Sequence, residues 1–211
     1  PIMNEVTRPL GRPSFREQQL VVRESAIIDA TCTLLARKGY DLMTMDEVAA
    51  DVGLAKASLY KHFDSKEALA AAAMIRLIDQ TTAALEALPQ TLSPIEKLRG
   101  ILLWALEQRM QGGLPLLPAS NTTLRESLLR NMTYLGRVMQ INQRMKALIN
   151  SAKKSDNLRQ DLPDDVILYT IYARSCDPTV DYLRMFGKLN DQQIIDHMID
   201  ICFTGMTPAR N

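Results

Sequence analysis

The 211-residue sequence predicts an all-α fold, and three observations carry that reading. Helix-capping signals recur along the chain, almost no window alternates apolar and polar residues for the length of a strand, and two short helical segments flank a glycine behind one long amphipathic segment. Composition agrees: 46% hydrophobic, 23% charged and a net charge of +1 describe an ordinary globular chain, long enough to bury a core without disulfides or metal. The longest apolar run, Ala68 to Ile75, is far shorter than the roughly 20 residues that span a bilayer, so no membrane partner is expected. No signal-type stretch follows the polar start, and the opening at Pro1 without a methionine points to trimming or processing. Cys32, Cys176 and Cys202 have no pairing or metal-ligand spacing. They read as reduced, buried small hydrophobes in the cytoplasm.

The elements follow in order. Ser14 with Glu17 forms a capping box, in which hydroxyl and carboxylate satisfy orphan backbone donors, and Gly39 supplies a left-handed stop, so a helix spans roughly Phe15 to Lys38. Its stripe of Ile27, Ala30, Thr31, Leu34, Leu35 and Lys38 keeps helical spacing toward a core. Thr44 with Glu47 opens a short helix ended by Gly53, and a second fits Ala55 to His62. Ser65 caps a long helix running to about Ala87. Ser93, Pro94 and Glu96 open another that reaches about Gln111. Thr122 to about Ala152 reads as one helix or two, with Gly136 a possible interruption, followed by a polar loop over 153–161. Pro163 with Asp164 and Asp165 opens the next helix, which Pro178 should kink or divide, and a last one begins near Asn190.

Chemistry concentrates in Thr44 to Lys66. Ala49 is small where two steeply crossing helices approach, Gly53 sits where the turn needs positive φ, and Val48, Val52, Leu54 and Leu59 close a miniature core. Leu59 and Phe63, four apart, face inward, which leaves Ala57, Ser58 and Lys61 outward with Lys56 and Tyr60 at the flank, where a DNA groove would meet them.

The block AIIDATCTLLARKGYDLMTMDEVAADVGLAKASLYKHFDSKEAL, Ala26 to Leu69, resembles the N-terminal domain of the TetR family of bacterial transcriptional regulators. Ala30, Gly39, Thr44, Val48, Ala49, Gly53, Leu59, Tyr60, Phe63 and Lys66 carry the likeness. Beyond Leu69 it thins to helix lengths and the Asp161-Leu162-Pro163-Asp164 opening. The resemblance implies a DNA-binding domain over residues 1–66 and a ligand-sensing and dimerisation domain over 67–211. It implies that Thr44, Tyr60, His62 and Lys66 hold phosphates, while Lys56, Ala57, Ser58 and Lys61 read base edges. The arginines of Arg8-Pro9-Leu10-Gly11-Arg12 look like minor-groove hooks, or a merely solubilising tail. Residues 1–67 hold nine Lys and Arg against ten Asp and Glu, so DNA binding must rely on clustering.

The implied function is a ligand-responsive repressor that binds a pseudo-palindromic double-stranded operator as a homodimer and is released by a largely apolar small-molecule inducer. Two alternatives stand beside it: a DNA-binding regulator without such a ligand, and a helical carrier or enzyme retaining a helix-turn-helix-like hairpin. Trp104, Met110 and Tyr134 are the pocket candidates; Val166, Ile195 and Ile199 are the candidates for the dimer face. Tyr172, Arg174 and Asp177 suit either a pocket or an ion pair and cap near Pro178. His62, His197 and the three cysteines form no metal-ligand set, no nucleophile arrangement is readable, and no cofactor or catalysis is expected.

Overall fold

The computed structural model describes residues 13–115, 120–155 and 157–207, all helices and connections, with no strand among them. Ten helices follow in order: α1 (Phe15–Leu42), α2 (Met45–Asp51), α3 (Lys56–Leu59), α4 (Lys66–Ala87), α5 (Pro94–Met110), α6 (Thr122–Arg130), α7 (Met132–Lys154), α8 (Asp164–Ser175), α9 (Thr179–Phe186) and α10 (Asp191–Thr204). The capping boxes at Ser14, Thr44, Ser93 and Asn190 all form, each with its side chain accepting from the N3 amide and its N3 partner reaching back. α1 runs past the expected stop: Gly39, at φ 78, breaks its geometry, yet the chain resumes helical turns to Leu42. Pro178 divides α8 from α9.

Two further boundaries differ from expectation. The break between α6 and α7 lies at Asn131, not Gly136. Asn131 adopts an extended backbone and its side chain accepts from Tyr134 N at 2.9 Å, satisfying a donor that a helix start leaves orphaned. Gly136 sits inside α7 with open space where a Cβ would be. The polar segment expected to be a loop from 153 begins two residues later, because Lys153 and Lys154 complete α7.

Packing separates two apolar cores. The N-terminal one gathers Ile27, Leu34, Leu35, Val48, Leu59 and Leu69, all essentially sealed from solvent, with Val52, Leu54 and Phe63 packed at its edge. α6 closes this core with Leu124, 1% exposed, although in sequence it lies well inside the C-terminal half. The C-terminal core joins α5, α7, α8 and α10 through residues such as Leu98, Leu106, Met145, Ile167, Met198 and Phe203. α4 belongs to both: its alanine-rich start, Ala70 and Ala73, fits the first, while Ile78, Ala84 and Leu85 pack against the second. α4 is also the one described helix apolar and long enough to cross a membrane, but here its apolar residues serve these two cores.

Candidate nucleic-acid interface and ligand cavity

The helix-turn-helix is built from local rules. Gly53 takes φ 68, and Leu54 N donates to Ala49 O at 2.9 Å, so the chain reverses without a bulky residue in the left-handed region. Val48, Ala49 and Leu59 are buried at the crossing. α3 is shorter than expected, because after Leu59 the backbone tightens into three-residue bonds, Lys61 N to Ser58 O at 3.2 Å and His62 N to Leu59 O at 2.9 Å.

That geometry leaves Lys56, Ala57, Tyr60 and Lys61 exposed on one short segment, with Ser58 half-buried beside them. Thr44 is exposed at the start of α2, but its hydroxyl already engages Glu47. Lys56 Nζ lies 3.0 Å from Asp46 Oδ1, an exposed pair that holds the lysine toward α2 and raises its affinity for a proton. Lys66 Nζ stands 4.4 Å over the Tyr40 ring and donates to Asp41 O at 3.3 Å. His62 is turned inward: its side chain is only 10% exposed and Nδ1 lies 3.3 Å from Glu24 Oε1, so Nε2 alone remains for a further contact. Arg8 and Arg12 lie outside the described residues.

Ion pairs fix this unit onto α4. Arg76 donates to Ser25 O at 3.1 Å and Ser25 Oγ at 3.0 Å and pairs with Asp29, and Tyr40 Oη donates to Glu67 at 2.8 Å. Lys38 pairs with Glu47, which together with the Thr44 hydrogen bonds holds that carboxyl below its ordinary value. α6 adds a contact of its own, Asn121 Nδ2 to Asp41 Oδ1 at 3.3 Å. That coupling was not readable from sequence, since it joins residues eighty apart.

Further along α4 a cavity of about 300 Å³ opens between α4, α5, α7 and α8. Leu77, Ile78, Trp104 and Tyr134 line it with Asn142 and Tyr172. Met110 does not: it packs against the core near the end of α5, where the helix has passed the cavity. Tyr172 Oη donates to Asn142 Oδ1 at 3.0 Å, and burial pushes the phenols of Tyr172 and Tyr134 up. Arg174 and Asp177 stand apart from the lining as a 2.6 Å pair, with Asp177 capping Thr179 N at 2.9 Å. Arg109, 8% exposed, pins the α8–α9 bend to α5 by donating to Ser175 O, Asp177 O and Asp181 at 2.7–3.0 Å. No group of His, Cys, Asp and Glu among the described residues has metal-site geometry.

Two expectations about side chains are corrected. Ile195 and Ile199 are 4% and 7% exposed and belong to this chain's own core, because α10 turns its apolar stripe toward α5 and α8. Val166, by contrast, is 49% exposed, and Tyr182, Met185, Phe186 and Ile201 expose still more apolar surface on the same three last helices. Cys176 is exposed rather than buried, because it sits at the bend before Pro178.

Residues 27–73 match the family model described as bacterial regulatory proteins, tetR family. The biofilm operon icaADBC HTH-type negative transcriptional regulator IcaR of Staphylococcus aureus is 54% identical over 43 residues, 20% of this chain and 23% of its own length. The chain thus matches about a quarter of that curated relative. Among solved structures, the ketosteroid transcriptional regulator KstR2 of Mycobacterium tuberculosis superposes with a TM-score of 0.62 at 20% identity, covering 89% of this chain and 96% of its own. AibR, solved in complex with isovaleryl coenzyme A and operator DNA, gives a TM-score of 0.62 at 21% identity over 86% of this chain and 98% of its own. The shared fold therefore extends over most of the chain, while the sequence likeness is confined to the helix-turn-helix unit. Residues 27–73 thus match the N-terminal unit of the tetR family of bacterial regulatory proteins.

Proposed function

We propose that this protein is a transcriptional repressor that binds a pseudo-palindromic operator as a homodimer in the cytoplasm and is released by a small molecule held in the α4–α8 cavity. The observation that carries the reading is the continuity of α4. Its first residue, Lys66, belongs to the candidate phosphate-contacting set, and Leu77, eleven residues on and about 17 Å along the axis, lines the cavity. One helix therefore touches both sites, and a ligand that prefers one position of it biases the separation of two recognition segments.

On this reading Thr44, Tyr60, Lys66 and the free Nε2 of His62 hold phosphates, Lys56, Ala57, Ser58 and Lys61 read the major groove, and Arg8 and Arg12 reach the minor groove. Two-fold symmetry sets the half-sites about 34 Å apart or a little more. The exposed apolar residues of α8–α10, Val166, Tyr182, Met185, Phe186 and Ile201, form the self-complementary face. The name of IcaR, a negative regulator, supports the sign of the effect, and AibR's ligand and operator support the coupling. A packed C-terminal core would have favoured a regulator without a ligand; the cavity weighs against it.

The test is selection of duplexes from a random DNA pool at moderate salt, with a Tyr60→Ala, Lys66→Ala variant alongside. Enrichment of a two-fold motif by the wild type alone is the expected result. No enrichment by protein shown to be folded and dimeric would overturn the proposal.

A further inference from the structure

We infer that the cavity is built for an uncharged, mostly apolar ligand of about a dozen non-hydrogen atoms that hydrogen-bonds the Tyr172–Asn142 pair, and that it rejects both organic ions and coenzyme A thioesters. This rests on the reading of the cavity as the inducer site and goes on to define its ligand class. The volume, about 300 Å³, packed at the density of a protein interior, holds a ligand of that size. It lies at the small end of ligand pockets, far below what a nucleotide-bearing thioester fills.

Charge decides the rest. Among the described residues no Lys, Arg, His, Asp or Glu lines the cavity. Because burial pushes Tyr134 and Tyr172 up, both stay neutral and offer no negative charge to hold a cation. An ion entering here would shed water with no partner in return, at a loss of about hundredfold or more in affinity against a neutral molecule of the same shape. The polar side chains of the lining include Thr81, Tyr134, Asn142, Tyr169, Tyr172, Ser175 and Cys176. Thr81 and Ser175 already donate to the carbonyls of Leu77 and Tyr172, and Asn142 Oδ1 is taken by Tyr172, which leaves the amide donor Nδ2 and the lone pairs of Tyr172 Oη as an adjacent donor and acceptor to meet one hydroxyl, ether or carbonyl on a mostly apolar body.

Two reporters are built in. Trp104 is the chain's single tryptophan and lines the cavity. Cys176 also lines it and is the exposed thiol, whereas burial pushes Cys32 up to about 11 and raises Cys202. The experiment titrates the full chain with two matched series, adamantanol, adamantane carboxylate and adamantylamine, and the corresponding n-octyl alcohol, acid and amine, together with isovaleryl coenzyme A. Trp104 emission and the rate of Cys176 maleimide labelling are followed without DNA. At least one alcohol should shift the emission and slow the labelling, and its acid and amine should bind about hundredfold more weakly or not at all. Asn142→Leu and Tyr172→Phe should each weaken the alcohol by roughly fivefold, with melting temperature near wild type. Equal or tighter binding by an acid, an amine or the thioester overturns the inference, as does silence from both alcohols. If an alcohol binds but operator affinity does not change, the ligand class stands and the proposed induction fails.

Discussion

The two cores of this protein use the same kinds of side chain to opposite ends. Around the helix-turn-helix, Ile27, Val48, Leu59, Leu69, Ala70 and Ala73 are sealed from solvent, and ion pairs such as Arg76–Asp29 and Lys38–Glu47 clamp the rim. In the C-terminal half, α4, α5, α7 and α8 meet around open space, and polar bonds tie the surrounding helices together, Arg109 at the α8–α9 bend and Arg137 to Asp79 at 2.7 Å. On the proposed function, a unit that presents a fixed shape to DNA gains from close packing, and one that senses a ligand must keep room. α4 is the element common to both.

Substitutions that add or remove volume should therefore diverge. Leu59→Ala in the sealed core should cost about 2–5 kcal/mol and abolish cooperative melting of the helix-turn-helix, as read by urea unfolding. Arg109→Met strands the carbonyls of Ser175 and Asp177 and should cost about 2–4 kcal/mol. Ala73→Leu, which overfills the first core, should cost about 1–3 kcal/mol, whereas Ala105→Val, on the cavity wall, should leave stability within about 0.5 kcal/mol and weaken ligand binding. A cost at Ala105 equal to that at Ala73 would erase the distinction between the cores.

The smallest effect is a titration. Glu47 sits below its ordinary value of 4.5 because Lys38 and Thr44 favour its charged form. A depressed carboxyl stabilises the fold fully above the unfolded value and loses that contribution as pH falls through the folded one. The melting-temperature difference between wild type and Glu47→Gln should hence be constant near neutrality and shrink below about pH 4.5. Persistence of the full difference at pH 3 would exclude the Lys38 pair as its source.

What was legible in the sequence follows the range of the interactions. Ser14, Thr44, Ser93 and Asn190 announce their helices because a capping box closes within three residues, and Gly53 announces its turn because only φ is at issue. Trp104 and Tyr134 were placed in a pocket by residue type and line one, while Met110 lies one or two turns beyond. Ile195 and Ile199 were assigned to a partner because an apolar stripe on α10 has the same periodicity whether it meets its own chain or another. Docking of α6 onto the N-terminal core through Leu124 and Asn121 has no local signature, nor does the inward turn of His62 onto Glu24, thirty-eight residues away.

Transmission of the state of the cavity along α4 to the proposed DNA-binding face can be read in one titration. Affinity for the selected operator duplex is measured by fluorescence anisotropy at fixed salt, with the cavity empty and then saturated with the neutral ligand that shifts Trp104. Saturation should weaken operator binding by about 5- to 150-fold, and operator bound first should weaken the ligand by the same factor. Operator affinity unchanged at full occupancy of the cavity would contradict that transmission.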